Sequence, residues 1–121
     1  MRFSVLAALA VSVALPATAA EVSLTLSIPV TGAAGVESKS VAYECDGRTV
    51  AVTYLNAGTV SLAVLDVDGE TVVAANVVSG SGARYAGGRH VWWSKGEAAD
   101  LYDLMGEGGE DTPAASCRAA G

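Results

Sequence analysis

Turn signals recur at short intervals through the middle of this chain, and they constrain its fold more than any other feature. Three are the pairs Asp46-Gly47, Asp68-Gly69 and Gly87-Gly88, and a fourth is Asn56-Ala57-Gly58. Such residues supply the backbone angles of tight hairpin turns. With the glycine- and serine-rich loop at residues 79–82 between the last two pairs, turn signals recur about every eight to twelve residues, which is typical of an all-β sandwich or barrel. We therefore expect a small antiparallel β protein.

Apolar and polar residues alternate between these turns, which predicts strands. The predicted strands cover residues 40–45, 48–55, 59–67, 70–78, 83–86 and 89–94. A further half-buried strand is predicted over residues 21–30, where Val22, Leu24 and Leu26 alternate with polar side chains. Residues 97–105 suit a strand or a short helix, and we favour a strand because an antiparallel sheet needs a closing partner. A mobile acidic loop is expected over 106–113, before residues 114–118 bring the chain back.

Residues 1–19 have the features of a secretory signal peptide. Arg2 supplies a positive start, residues 5–15 are almost all apolar, and Ala17-Thr18-Ala19 resembles a cleavage site. The apolar run is shorter than the about 20 residues that a spanning helix needs. We predict cleavage after Ala19, which leaves residues 20–121 as one periplasmic or secreted domain. The first cysteine is Cys45, so the sequence predicts no lipid anchor at the cleavage site.

The two cysteines, Cys45 and Cys117, favour one disulfide in an oxidising compartment. That bond would enclose most of the domain in a single loop. The alternative is a pair of metal-binding or redox-active thiols. The chain has no C-x-x-C motif, and its single histidine cannot complete a usual zinc site.

Charge and motif content point away from nucleic-acid binding and catalysis. The net charge of −6 makes nucleic acid a poor partner, and it suits a basic protein or serves solubility alone. A serine triad would depend on His90, which lies in a predicted strand beside two tryptophans. A strand, not a helix, follows the Ser79–Gly82 loop, unlike in phosphate-binding loops. We expect a binding protein without metal or cofactor.

Trp92 and Trp93 are neighbours on a predicted strand, so one of them faces outward unless both sides of the sheet are covered. An exposed tryptophan would suit binding of a glycan or of another envelope protein. Lys95, two residues further on, has the features of an ordinary solvated lysine.

Several motifs together resemble those of the bacterial inhibitors of C-type lysozyme, a family with membrane-bound (MliC) and periplasmic (PliC) members. The resemblance covers residues 41–117 and rests on Tyr43-x-Cys45, Ser79–Tyr85 (SGSGARY), Trp93–Leu101 (WSKGEAADL) and Cys117. The specific part is the pairing of the two longer motifs, with fourteen residues from Ser81 to Lys95.

The resemblance implies an antiparallel β-barrel of about eight strands closed by a Cys45–Cys117 disulfide. It also implies a C-type lysozyme as partner, with Ser81 and Lys95 on adjacent loops that enter the active-site cleft. That cleft holds a glutamic acid and an ionised aspartate. A lysine ammonium and a serine hydroxyl can both pair with carboxylates.

The remaining motif residues have supporting roles by the same resemblance. Gly80, Gly82 and Gly96 would let the backbone approach the partner closely, and Tyr85 would orient and pack the first motif. His90 stands where family members often carry a tyrosine. This departure trades one packing group for another, weakens a contact or adds pH sensitivity.

Overall fold

The computed structural model describes residues 7–16 and 21–121. Within these residues the chain forms eight strands, which are β1 (Glu37–Cys45), β2 (Arg48–Ala57), β3 (Val60–Val67), β4 (Glu70–Val77), β5 (Ala83–Gly87), β6 (His90–Lys95), β7 (Ala98–Asp103) and β8 (Ala115–Ala119). The described part contains no helix that is long and apolar enough to cross a membrane.

Each strand pairs antiparallel with the next, and β1 also pairs with β8 to close the sheet. The predicted barrel of about eight strands is therefore confirmed. A disulfide between Cys45 and Cys117 joins β1 to β8 at a point where the two cysteines are direct register partners. Closure shortens the exposed edge of β1, because residues 43–45 of this strand pair with β8.

Residues 97–105, which suited either a strand or a helix, contain strand β7. This strand pairs with β6 along its whole length and with β8 on its other side. Its neighbours on both sides therefore supply the backbone hydrogen bonds that a helix would otherwise make within itself. The strand ends at Asp103, and the chain then follows turns and bends through the acidic loop to β8.

The predicted strand over residues 21–30 is wrong, since this segment has no regular secondary structure. Leu24 and Leu26 are 91% and 76% exposed. The alternation is present in the sequence, but β2 and β3, the strands beside this segment, already pair on both sides and offer it no free edge. The apolar side chains instead line an open groove beside the outer face of β2–β4, opposite Leu62 and Val73. The proposed cleavage point after Ala19 lies outside the described residues.

Alternate side chains of each strand point into the barrel, and these inward-facing side chains form the core. Trp92 lies at its centre with no exposed surface, and Tyr43 packs against it edge-on with ring centroids 4.9 Å apart. Aliphatic side chains such as Val50, Leu65 and Leu101 complete the packing. All eight strands contribute side chains to this core, so the strands that carry the loops at each end are packed together.

Because successive strands run in opposite directions, the connections collect at two ends of the barrel. One end holds the β4–β5 loop (residues 78–82), the β6–β7 turn (residues 96–97), the β2–β3 turn and the approach to β1. We call it the Lys95 end. The opposite end holds the turns at Asp46-Gly47, Asp68-Gly69 and Gly88-Arg89. The two motifs identified in the sequence therefore lie at the same end.

Candidate functional site

The two motif loops are neighbours because β5 and β6 pair directly. The register places Ala83 opposite Ser94, so the chain just before Ala83 meets the chain just after Ser94. Ser81 and Gly82 thus lie beside Lys95 and Gly96. The loop of residues 78–82 is braced internally by the Ser79 hydroxyl, which donates a hydrogen bond of 3.2 Å to the carbonyl oxygen of Gly82.

Gly82 is the point of closest contact between the loops. Its φ is +64°, and a Cβ added there would lie 2.7 Å from Cγ of Lys95 and would overlap the carbonyl oxygen of Ser94. Only glycine satisfies both conditions. Gly96 also has a positive φ, of +60°, but faces open space. Gly80 has no positive φ, and a Cβ added there would meet no atom within 4 Å.

Ser81 and Lys95 present their functional groups outward, and both residues are exposed. Ser81 uses its backbone carbonyl, not its hydroxyl, in the contact with Trp93. The ion pairs within the described residues are Arg48–Asp68 and Arg89–Asp103, and neither includes Lys95. This surface therefore carries an exposed hydroxyl and an exposed ammonium group that no ion pair within the described residues holds.

Trp93 contacts both motif loops, a role that the sequence did not reveal. Its indole Nε1 donates a hydrogen bond of 2.8 Å to the carbonyl oxygen of Ser81. The ammonium of Lys95 lies 4.6 Å from the centroid of the same ring, and the Arg84 guanidinium lies 5.7 Å from it. The sequence signal that could have indicated this role is the spacing of Trp93 and Lys95, because residues two apart on a strand share a face.

Trp92 occupies the opposite face of β6 and is fully buried. Its indole N–H donates a hydrogen bond of 2.8 Å to the Tyr54 hydroxyl, which lies 2.8 Å from the Tyr43 hydroxyl. Burial, together with the hydrogen bond to Tyr54, raises the pKa of Tyr43. Of the two tryptophans, Trp92 therefore belongs to the core, and the alternative of glycan or protein binding through an outward-facing tryptophan no longer includes it.

Tyr85 faces the barrel interior and is 6% exposed. It packs against Tyr54 with ring centroids 5.7 Å apart, and burial, followed by the proximity of Tyr54, raises its pKa. Together with Ser94 and Gly96 it lines the barrel mouth at the Lys95 end. The structure thus places Tyr85 beneath the motif loops, where it packs β5, and not among the outward-facing groups.

His90 lies at the opposite end of β6 from Lys95. Five residues of strand separate the two by roughly 16 Å at the usual rise per residue. His90 is half-buried and is the register partner of Gly87 and Asp103. It is therefore too distant to activate Ser81 as a nucleophile. The described residues hold no group of three or more side chains arranged to bind a metal ion.

Comparison with known proteins identifies a family for the chain. The family described as membrane-bound lysozyme-inhibitor of c-type lysozyme matches residues 43–109. A Pseudomonas aeruginosa protein named membrane-bound lysozyme inhibitor of C-type lysozyme is 47% identical over 95 residues, which are 77% of this chain and 72% of the relative. A Cupriavidus necator protein of the same name is 46% identical over 82 residues, which are 67% of this chain and 66% of that relative.

A solved structure supports the same assignment. The crystal structure of Pseudomonas aeruginosa MliC in complex with hen egg white lysozyme matches with a TM-score of 0.64 and 38% identity. The match covers 83% of this chain and all of the MliC chain. With the eight-stranded barrel, the disulfide and both motifs in place, the chain belongs to the MliC family of C-type lysozyme inhibitors.

Proposed function

We propose that this chain is a protein inhibitor of C-type lysozyme and that it blocks the active-site cleft with Ser81 and Lys95. The observation that carries the proposal is the contact at Gly82, which unites two loops into one surface with an exposed hydroxyl and an exposed ammonium. Family membership supports the choice of partner. Inhibition by occlusion requires binding alone and no chemical step.

The chemistry of the cleft explains why these two groups are suitable. C-type lysozyme uses a glutamic acid as general acid and a nearby ionised aspartate. The Lys95 ammonium would pair with the ionised carboxylate, and the Ser81 hydroxyl would form a hydrogen bond to either carboxyl group. Neither protein group resembles a glycosidic bond, so the enzyme has nothing to cleave.

Overall charge supports the encounter with a basic enzyme. The chain carries a net charge of −6, while the binding tip itself carries a positive lysine. Long-range attraction between opposite net charges speeds association and weakens as salt is added. The local positive charge then selects the acidic cleft within the basic partner. We therefore expect the association rate to fall with ionic strength.

A turbidity assay of cell-wall lysis tests the proposal with purified protein. Lys95→Ala removes an interfacial charge, and truncation of such a buried pair costs on the order of 2–5 kcal/mol, or roughly 30-fold or more in affinity. Ser81→Ala should weaken inhibition by a smaller factor, because a neutral hydrogen bond contributes about 1 kcal/mol. Both variants should keep the thermal midpoint of the parent protein, since both residues are exposed.

Arg48→Ala serves as the matched control. It removes one positive charge at the opposite end of the barrel, where Arg48 forms an exposed ion pair with Asp68. We expect it to inhibit as the parent protein does. The proposal fails if an excess of parent protein leaves a C-type lysozyme at full rate, or if Lys95→Ala weakens inhibition no more than Arg48→Ala.

We also propose that residues 1–19 direct export and are removed, which leaves residues 20–121 in the periplasm or outside the cell. The disulfide supports this, because such bonds persist in oxidising compartments. The first cysteine, Cys45, is inside β1 and forms that disulfide, so it is not available for a lipid anchor. The intact mass of protein from a periplasmic extract should correspond to a chain beginning at Ala20. A mass that includes the leader, or recovery in the membrane fraction alone, would contradict the proposal.

A further inference from the structure

We propose that Trp93 is the positioning residue of the inhibitory site, holding the Ser81 loop and the Lys95 side chain in one fixed arrangement. The inference rests on the proposed function, since it assigns how that site is held together. Trp93 itself is half-buried against the barrel, and its ring lies beneath the two groups that would face the partner.

The first contact restrains the loop backbone. Residues 78–82 form no strand, and their position depends on what anchors them to the barrel. The Trp93 indole N–H provides an anchor through its hydrogen bond of 2.8 Å to the carbonyl oxygen of Ser81. The donor belongs to a strand with pairing partners on both sides, so it cannot move with the loop. This bond sets the height of Ser81 above the barrel rim.

The second contact restrains a flexible side chain. A lysine loses much rotamer freedom when it binds, and prior restraint reduces that loss. The Lys95 ammonium lies 4.6 Å from the centroid of the Trp93 ring, within the range of a cation–π interaction. Such an interaction favours the extended position along the indole without neutralising the charge. The ammonium therefore stays available to a carboxylate.

The two contacts use different parts of one side chain, which makes them separable by substitution. The loop depends on the indole nitrogen, and Lys95 depends on the ring face. Trp93→Phe keeps a ring face and removes the N–H donor. Trp93→Leu removes both. Tyr102→Leu is a matched control, because Tyr102 on strand β7 is a half-buried aromatic residue that lines the same small cavity as Trp93 but forms no hydrogen bond or ring contact with either motif loop.

The first measurement is inhibition of C-type lysozyme by full-length variants. Trp93→Phe should weaken inhibition about fivefold, as expected for the loss of one hydrogen bond. Trp93→Leu should weaken it roughly 20-fold, because the cation–π contact is also lost. Tyr102→Leu should inhibit as the parent protein does. In a Lys95→Ala background, the additional loss from Trp93→Leu should shrink to that of Trp93→Phe alone.

The second measurement does not depend on lysozyme. In the parent protein the ε-methylene protons of Lys95 should show an upfield NMR shift from the indole ring current. The shift should persist in part in Trp93→Phe, disappear in Trp93→Leu and stay unchanged in Tyr102→Leu. A parent protein that fails to inhibit lysozyme but shows this pattern would overturn the proposed function and leave the positioning role intact.

Two results would overturn the positioning role while the proposed function stands. One is full inhibition by both Trp93 variants. The other has two parts. The NMR shift of the Lys95 ε-methylene protons is the same in Trp93→Leu as in the parent protein, and the loss of inhibition among the variants parallels their decrease in urea midpoint. Urea unfolding of every variant is therefore measured alongside.

Discussion

Replacing Gly82 with alanine is the sharpest test of how the two motif loops are joined. The added methyl group would lie 2.7 Å from Cγ of Lys95 and overlap the Ser94 carbonyl oxygen, at a φ of +64°. The left-handed backbone costs about 1–2 kcal/mol for a residue with a Cβ. Overpacking adds roughly 1–3 kcal/mol. We expect the free energy of unfolding to fall by about 2–5 kcal/mol from these two costs together.

The loop can reduce this cost only by moving away from β6. Such a movement would break the hydrogen bond between the Trp93 indole and the Ser81 carbonyl, and it would separate Ser81 from Lys95. Gly82→Ala should therefore lose inhibition even where part of its stability is recovered. Both observables fall because the same contact supports the fold locally and builds the binding surface.

The neighbouring glycines provide internal controls. Gly96→Ala introduces the backbone cost alone, about 1–2 kcal/mol, because open space surrounds its added Cβ. Gly80→Ala introduces neither cost, and it should leave stability unchanged or raise it by about 0.4–1 kcal/mol through the unfolded chain. Urea unfolding followed by tryptophan fluorescence measures all three. If Gly82→Ala destabilises the protein no more than Gly80→Ala does, the contact described for Gly82 is not present in solution.

Two further predictions concern the scaffold. Reduction of the Cys45–Cys117 bond, which spans 72 residues, should cost about 4 kcal/mol by the chain-entropy account and lower the thermal midpoint by roughly 15–30 °C. Calorimetry with and without reductant measures the two thermal midpoints, and a decrease of less than about 5 °C would refute the prediction. The second concerns Asp103, whose pKa is lowered chiefly by its hydrogen bonds from Arg89. The stability that this pair contributes is present above the ordinary aspartate pKa and is lost as the pH falls through the lowered pKa. Asp103→Asn should therefore make the urea midpoint less dependent on pH on the acid side. An unchanged pH profile would contradict the prediction.

The strands and turns were predictable because their signals are local. A turn such as Asp68-Gly69 and the alternation on either side of it fix a hairpin without reference to the rest of the chain. Closure into a barrel is not local, and that expectation came from the resemblance to a family. The error over residues 21–30 has the same origin. Alternation predicts that a segment could pair, but β2 and β3 already pair on both sides and leave no free edge beside this segment.

The candidate site was predictable in part for a similar reason. Ser81 and Lys95 belong to two contiguous motifs, and the resemblance of these motifs to those of a known family singled the two residues out. Trp93 could not be distinguished from Trp92 in this way, because a shift of one residue in the pairing register would exchange the faces on which the two side chains lie. The register of β6 with β5 and β7 settles the matter, and it places Trp92 in the core and Trp93 under the loops.

The pairing of β1 with β8 ties completion of this fold to its last strand. A polypeptide is synthesised from its N-terminus, so β1 keeps one side unpaired until residues 115–119 follow. Cys45 stays reduced until Cys117 is made. These residues are the two cysteines of the sequence, so no incorrect internal disulfide can form before then. Oxidation alone therefore completes the covalent structure, and the protein needs no step of disulfide isomerisation to reach its active form.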